Sequence, residues 1–482
     1  MYPTADPAAT RDLDSEVDEF LSSPADYFGW KDAAVHSIPR DKLEALQLRG
    51  AQVRFDYLRD RVPVLKKLTD EQKVDGINSV NDLVPLLFSH TMYKSYPLTL
   101  LKNSRFDLLT GWLQKLTTVD LSGFDTEGLD SIDSWISALD GHTDLRVRHS
   151  SGTSGHMSFI PRTSAESDRH FYSMMLAKFD RNGVETPRPD KALGMHVVMP
   201  VFRSGNTGLL RANEYFIRDI AGNDEEKLHF LYPGHQSSDL MFLAGQIGNA
   251  EALGSTHLNL SPSLIERRDE FEALAANRQM DTDRFFDAVV ERLKGKRIWG
   301  SGTWNVLYRL AISGRERGAS GVLDSKSIIQ TGGGAKGQTV PADWEPMVCD
   351  FLGVEKLNHT YGMTEVMAGH ALCEHDRFHI EPWTILFVLD PDTGYPMPRT
   401  GVQTGRAAFF DLLSETYWGG FVSGDEVTVD WTSQCACGRT TVHIAREIER
   451  YGADRGGDDK ITCAASADAH DSALAYLNDL LQ

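Results

Sequence analysis

A chain of 482 residues, 41% hydrophobic and 24% charged, has the balance of a soluble globular protein and the length of a large domain with additions. Its net charge of −20 excludes a nucleic-acid backbone as the main partner, and it obliges any nucleotide site to bring its own donors or a metal ion. Five cysteines make no disulfide framework, no apolar run is long enough for a bilayer, and the acidic start MYPTADPAATRDLDSEVDEF is no secretory signal, so a reducing, cytoplasmic location is expected.

The first 110 or so residues read as helical. Leu43, Leu46, Gly50, Val53 and Tyr57 recur at three- and four-residue steps, and the pattern stops before Val62-Pro63. The stretch HSSGTSGHMSFIPRT (149–163) then crowds Ser150, Ser151, Gly152, Thr153, Ser154 and Gly155 together. With no apolar surface to bury, it is either a flexible surface loop or a cradle of N–H and O–H donors around an anion. TSAE at 163–166 predicts a capping box and a helix that buries Phe171, Met174, Met175 and Phe179.

ALGMHVVMP (192–200) predicts a short buried strand ended by its proline, and SKSIIQTGGGAKG (325–337) a strand, a glycine loop and a helix start. TILFVLD (384–390), RAAFFDLL (406–413) and DEVTVDW (425–431) predict a strand-rich last third with turns such as PDTG. The expected fold class is therefore α/β. Gly332, Gly334 and Gly337 satisfy G-x-G-x-x-G, with Asp350 downstream, but a dinucleotide unit usually opens its domain rather than sitting two-thirds along the chain.

Further on, NHTYGMTE (358–365) sets a tyrosine, a glycine, a hydroxyl and a carboxylate side by side. Together with SSGTSG it resembles the signature of the adenylate-forming superfamily of acyl-CoA synthetases, peptide-synthetase adenylation domains and luciferases. Ser423-Gly424-Asp425 in FVSGDEVTVD resembles the family's T/S-G-D, and Asp458 and Asp459 in GGDDKI resemble its hinge; all four occur in the family's order. QLRGAQVRFDYLRDRVPVLKKL (47–68), INSVNDLVPLLF and CACGRT (435–440) resemble the phenylacetate-CoA ligase branch, and the last is shared with acyl-protein synthetases of bacterial luminescence operons. The resemblance implies a large domain of mixed sheets flanked by helices with a strand-rich subdomain. It divides the chain into a helical part (1–110), an adenylate-forming core (111–450) and a vestigial C-terminal segment (451–482).

It also implies roles. A carboxylate is a poor acyl donor, and attack on the α-phosphate of ATP converts it to an acyl adenylate whose leaving group is AMP. Such a site must hold a crowded polyphosphate and offset charge developing on the α-phosphate. Ser151, Gly152, Thr153, Ser154 and Gly155 would wrap the β- and γ-phosphates, Thr364 would touch the α-phosphate, and Glu365 would hold Mg²⁺. Tyr361 would lie against adenine, with Gly332, Gly333 and Gly334 lining that side. Asp425 would accept from both ribose hydroxyls, joined by Arg450 or, with an insertion, Arg455.

Two departures from the family stand out. His156 occupies the position where the phosphate loop commonly carries a lysine, and after Lys356 the only lysine is Lys460, where relatives have a lobe that delivers a catalytic lysine. Adenylation would then depend on Lys460, on a lysine from elsewhere or on none. The tail ITCAASADAHDSALAYLNDLL resembles that of acyl-protein synthetases and has room for one helix carrying Ala473, Leu474, Tyr476, Leu477 and Leu480. The expected acceptor is thus a thiol or amine, on a partner protein or a small amine rather than CoA. The competing readings are an ordinary acyl-CoA ligase and a catalytically degenerate nucleotide-binding subunit.

Cys373 and His379 form C-x5-H, and Cys435 and Cys437 form C-x-C. Three thiolates and one imidazole suit a structural, tetrahedral Zn²⁺, with His375 as a substitute for His379, or else the cysteines are buried small hydrophobes. Phe202 in MPVFRSGNTG and Trp304 in GSGTWNV are the candidates for the wall of the carboxylic acid pocket.

Overall fold

The computed structural model describes residues 7–150, 152, 155–252, 262–334, 339–452 and 467–480. Between Pro7 and Leu116 every element is helical. The Arg40–Leu58 helix buries Leu43, Leu46 and Gly50 as its periodicity requires, but Val53 is half-buried and Tyr57 is 43% exposed. Ala51, Arg54, Phe55 and Leu58 are buried in their place. The helix is covered on more than one side: a methyl on Gly50 would meet the side chains of Leu21 and Leu412 at 3.3 Å each.

Two short strands, β1 (Arg148–His149) and β2 (Phe159–Ile160), pair antiparallel on either side of the serine- and glycine-rich loop. The central sheet has the order β4-β3-β5-β6-β7-β8. In it β3 (His196–Gly205), β4 (Leu228–Gln236), β5 (Ile298–Ser301), β6 (Ile328–Gly332) and β7 (Asn358–Tyr361) are parallel, and β8 (His370–Ala371) closes one edge antiparallel. Parallel neighbours need crossovers, which helices such as Gly208–Tyr215, Ser238–Ala252 and Trp304–Glu316 supply. The expected α/β class is therefore present.

Pro200 does not end its strand. β3 runs through it because the register against β4 shifts between Met199 and Phe202, and pairing with β5 stops at Val198, so no ladder bond is asked of the proline.

The second sheet is antiparallel, in the order β10-β11-β12-β13-β9. It comprises β9 (Arg377–His379), β10 (Thr384–Leu389), β11 (Val402–Asp411), β12 (Gly420–Asp430) and β13 (His443–Ala445), and β14 (Glu449–Arg450) also pairs with β12. Every residue of β10 is buried, and together with the N-terminal helices and the Ser164–Phe179 helix this sheet forms the largest core. That helix starts at the expected capping box: Thr163 N–H donates to Glu166 Oε2 (2.8 Å) and Glu166 N–H to Thr163 Oγ1 (3.3 Å). Phe171, Met175 and Phe179 are buried, while Met174 is half-buried.

The Ala467–Leu480 helix packs on the Ser238–Ala252 and Arg268–Ala276 helices and buries Ala473, Leu474 and Leu477. Tyr476 is half-buried. Among the described residues no helix is long and apolar enough to cross a membrane.

Candidate nucleotide site and metal centre

The carboxyl ends of β6 and β7 lie side by side, with Gly332 paired to Thr360, the neighbour of Tyr361. A Cβ on Gly332 would stand 2.7 Å from the Thr360 carbonyl oxygen, so this closeness requires glycine. Gly333 and Gly334 continue the loop and are exposed. From the other sheet, β12 brings Asp425, whose Oδ2 accepts a 2.8 Å hydrogen bond from the Tyr361 hydroxyl. Burial, and next the Asp425 charge, push the Tyr361 phenol well above its ordinary range. β14 places Arg450 opposite Asp425, with Nε 3.8 Å from Oδ1.

Thr364 and Glu365 follow in the next loop, both half-buried. The Thr364 carbonyl accepts from Arg162 Nη2 at 3.2 Å, and the same guanidinium donates to the Tyr417 hydroxyl from Nε (3.1 Å) and Nη2 (2.9 Å). Gly208, the first residue of its helix, lies beside Thr364: a methyl there would be 3.7 Å from Oγ1. The Glu365 carboxylate has no hydrogen-bond partner among the described residues, which leaves it free to hold a cation.

The serine- and glycine-rich loop is described at its ends. Gly152 is buried at φ +63°, and its Cα faces the Met157 side chain so closely that a Cβ would meet Cγ at 2.9 Å. Its carbonyl accepts from Gly155 N–H at 2.8 Å, and the Gly155 carbonyl accepts from Gln246 of the Ser238–Ala252 helix. His149, 1% exposed, donates from Nδ1 to the Ser150 carbonyl (2.8 Å) and meets Ser238 Oγ with Nε2 at 2.9 Å. His149 N–H bonds the Asn206 carbonyl at 3.0 Å, and His149 bridges to Thr207, so the loop begins next to the residues that meet Thr364. Ser151, Thr153, Ser154, Lys460, Arg455, Asp458 and Asp459 lie outside the described residues.

Phe202 and Trp304 stand on different elements. Phe202 lines a pocket with Tyr232 and His470, whereas Trp304 opens a helix after β5 and packs against Trp344 at 6.4 Å. Phe202 is on a strand and Trp304 on a helix, a placement the sequence does not reveal. Sequence reasoning also missed Arg162. A buried arginine just before a capping threonine looks like any strand-end residue, and its partner Tyr417 is 255 positions away.

Cys373, His379, Cys435 and Cys437 converge, with one donor atom from each lying within 4.8 Å of all the others. Cys373 and Cys435 sulfurs are 3.7 Å apart, and Cys437 Sγ is 3.2 Å from His379 Nε2. Zinc–sulfur bonds of about 2.3 Å in a tetrahedron set sulfurs roughly 3.8 Å apart, so the donor set fits that ion. Burial keeps the His379 ring neutral, pushed down to about 3, as a ligand must be. The imidazole in the cluster is His379 and not His375, whose backbone N–H points to Cys373 Sγ at 3.4 Å.

No family model matches the chain. A phenylacetate-coenzyme A ligase of Thermus thermophilus is 24% identical over 430 residues, 86% of this chain and 72% of the relative. Among solved structures, an open form of 2-hydroxyisobutyryl-CoA ligase with 2-HIB-AMP and CoA aligns at 13% identity, over 86% of this chain and 71% of that one, with a TM-score of 0.47. ATP-bound MatB from Rhodopseudomonas palustris aligns at 15% identity, over 73% and 61%, with a TM-score of 0.33. The chain is thus similar, over most of its length, to a phenylacetate-coenzyme A ligase, in keeping with the adenylate-forming motifs it carries.

Proposed function

We propose that this protein activates a carboxylic acid with ATP, forming an acyl adenylate and releasing pyrophosphate, and then passes the acyl group to a thiol or amine. The observation that carries the reading is the meeting of Gly332 and Tyr361, at the carboxyl edge of a parallel sheet, with Asp425 and Arg450 of the second sheet, the Thr364 loop following directly after Tyr361. Open α/β sheets bind ligands at that edge. A carboxylate oxygen of the acid attacks the α-phosphorus, the bond to the β-phosphate breaks, and pyrophosphate departs. The acceptor's sulfur or nitrogen then attacks the acyl carbon and AMP leaves.

In this reading Asp425 holds the ribose. Its Oδ2 already accepts from Tyr361, but each carboxylate oxygen has two lone pairs, so both ribose hydroxyls can still be met. Arg162 fixes the Thr364 loop through the backbone carbonyl, leaving the hydroxyl for the α-phosphate. Glu365 would hold Mg²⁺, which when bound neutralises phosphate charge. The described ends of the serine- and glycine-rich loop, braced on the Ser238–Ala252 helix, support a role for Ser151 to Gly155 in wrapping the outer phosphates. The three-cysteine, one-histidine cluster would bind a structural Zn²⁺, because four protein ligands leave no open position.

Similarity to a CoA ligase supports CoA as acceptor, while the acyl-protein-synthetase-like tail supports a partner protein or a small amine. Pyrophosphate exchange into ATP, run against a panel of carboxylic acids, tests the first half-reaction without an acceptor. Product formation with CoA, simple amines and partner proteins then tests the second. Tight ATP binding with no exchange for any acid would instead mark a degenerate nucleotide-binding subunit.

A further inference from the structure

Behind the serine- and glycine-rich loop, Asp133, Asn206, Ser238 and His149 form a line of hydrogen bonds with a single direction. It starts at Asp133, in the first turn of the Ile132–His142 helix, which caps the Ser238–Ala252 helix by accepting from Ser238 N–H at 3.0 Å. A carboxylate only accepts, so Asn206 must turn its Nδ2 toward Asp133 Oδ1, 3.0 Å away. The second Nδ2 hydrogen goes to Ser238 Oγ at 3.1 Å.

At the far end the Ser150 carbonyl can likewise only accept, so His149 Nδ1, 2.8 Å from it, carries the ring proton. Burial keeps the ring neutral, pushing it down to about 4, and the bare Nε2 receives the Ser238 hydroxyl hydrogen across 2.9 Å. Every proton between Asp133 and Ser150 thus has one place. A fully satisfied polar line of this kind fixes one geometry, which an apolar filling would not.

The two segments it joins both lead to the proposed phosphate site. Ser150, also held by Ser158 through two bonds of 3.0 Å, directly precedes Ser151. Asn206 accepts from His149 N–H through its own carbonyl and leads through Thr207 into Gly208, which stands beside Thr364. We infer that His149 is a positioning residue for the outer phosphates: with Ser238, Asn206 and Asp133 it sets the start of the serine- and glycine-rich loop against the Thr364 edge. The phosphate part rests on the proposed activity; the relay does not.

The test compares His149→Asn with His149→Gln in the full chain. The Asn amide nitrogen hangs on Cγ, as Nδ1 does, and keeps the bond to Ser150; the Gln nitrogen lies one bond further out, where Nε2 is, and loses it. Calorimetric titration in Mg²⁺ should show His149→Gln raising the ATP Kd roughly tenfold and the AMP Kd less than about twofold, since AMP lacks the outer phosphates. His149→Asn should stay within about threefold of the parent for ATP. Ser238→Ala, which breaks the relay by losing a single oxygen, should weaken ATP selectively in the same way. Without nucleotide, amide hydrogen exchange in peptides covering 149–160 should quicken in His149→Gln more than in His149→Asn. Equal weakening of ATP and AMP, or Gln and Asn variants that behave alike in both measurements, would overturn the inference. Quickened exchange in His149→Gln, in a protein whose parent binds no ATP, would uphold the relay and overturn the nucleotide reading. Tight ATP binding by the parent, with exchange the same in all variants, would do the reverse.

Discussion

The Tyr361 hydroxyl donates to Asp425 Oδ2 across 2.8 Å, and this bond ties the carboxyl edge of the parallel sheet to the middle of the antiparallel one. The bond pins the Tyr361 ring by its hydroxyl, and the carboxylate keeps an oxygen beside Arg450, as the proposed nucleotide site asks of both.

Removing the carboxylate should therefore damage ATP binding more than acid binding. Losing a hydrogen bond to a charged acceptor costs roughly 1.5–3 kcal/mol, so Asp425→Ala should raise the ATP Kd by about tenfold to a hundredfold. Tyr361→Phe, which keeps the ring and loses only the tether, should have the smaller effect. Calorimetric titration with ATP checks both. An unchanged Kd in Asp425→Ala would place the ribose elsewhere.

Glu365→Gln should abolish pyrophosphate exchange and leave the melting temperature within a degree or two of the parent, a shift of well under about 1 kcal/mol. The side chain is half-buried in a loop and has no hydrogen-bond partner among the described residues to lose, so its charge matters to a cation and not to the fold. Wild-type exchange in this variant would remove Glu365 from the chemistry.

How much of this was legible in the sequence depends on the distance between partners. The run from Ser150 to Gly155 and the segment from Tyr361 to Glu365 announce themselves locally, because small and polar residues there have no core to build. The capping box at Thr163 and Glu166 is local too, and it forms where expected. Pro200 misled because a shift in parallel register, invisible along one strand, excuses its missing N–H. The exposure of Tyr57 misled because a helix packed on more than one side no longer shows a single apolar face. Arg162, Tyr417 and the bond between Tyr361 and Asp425 join residues far apart in sequence, and only the fold brings them together.

Acid should weaken the fold through buried neutral histidines. Burial pushes His149 down to about 4 and His470 to about 3. Between the unfolded value near 6.5 and these folded values, the unfolded chain binds the extra proton, so stability is complete above about pH 6.5 and falls as pH drops toward 4. For His149 the full loss is about 3 kcal/mol. Urea midpoints measured from about pH 7.5 down to 4.5 should fall, and His149→Gln should flatten part of that slope. A slope that His149→Gln leaves unchanged would mean that this imidazole is already solvated.

The metal cluster makes a sharper demand on residues outside it. If His379 Nε2 binds the ion with Cys437, its Nδ1 must carry the proton and donate to Thr441 Oγ1, 3.1 Å away. The Thr441 hydroxyl hydrogen is then directed to His36 Nδ1 at 2.8 Å, which leaves the His36 proton on Nε2, 3.7 Å from the Asp32 carboxylate. An imidazole and a hydroxyl from opposite ends of the chain thus fix one tautomer of the ligand. Thr441→Val preserves the shape of the side chain and breaks the relay at its centre, and outer-shell losses of this kind typically cost about 10–100-fold in metal affinity. Purified protein should contain about one zinc per chain by the four-ligand argument, and chelator competition should show Thr441→Val releasing it more readily, while Thr441→Ser, which restores the hydroxyl, should recover most of the affinity. Equal zinc retention in Val and Ser variants would cut Thr441 out of the relay, and zinc-free protein of full stability would leave the three cysteines as packing residues.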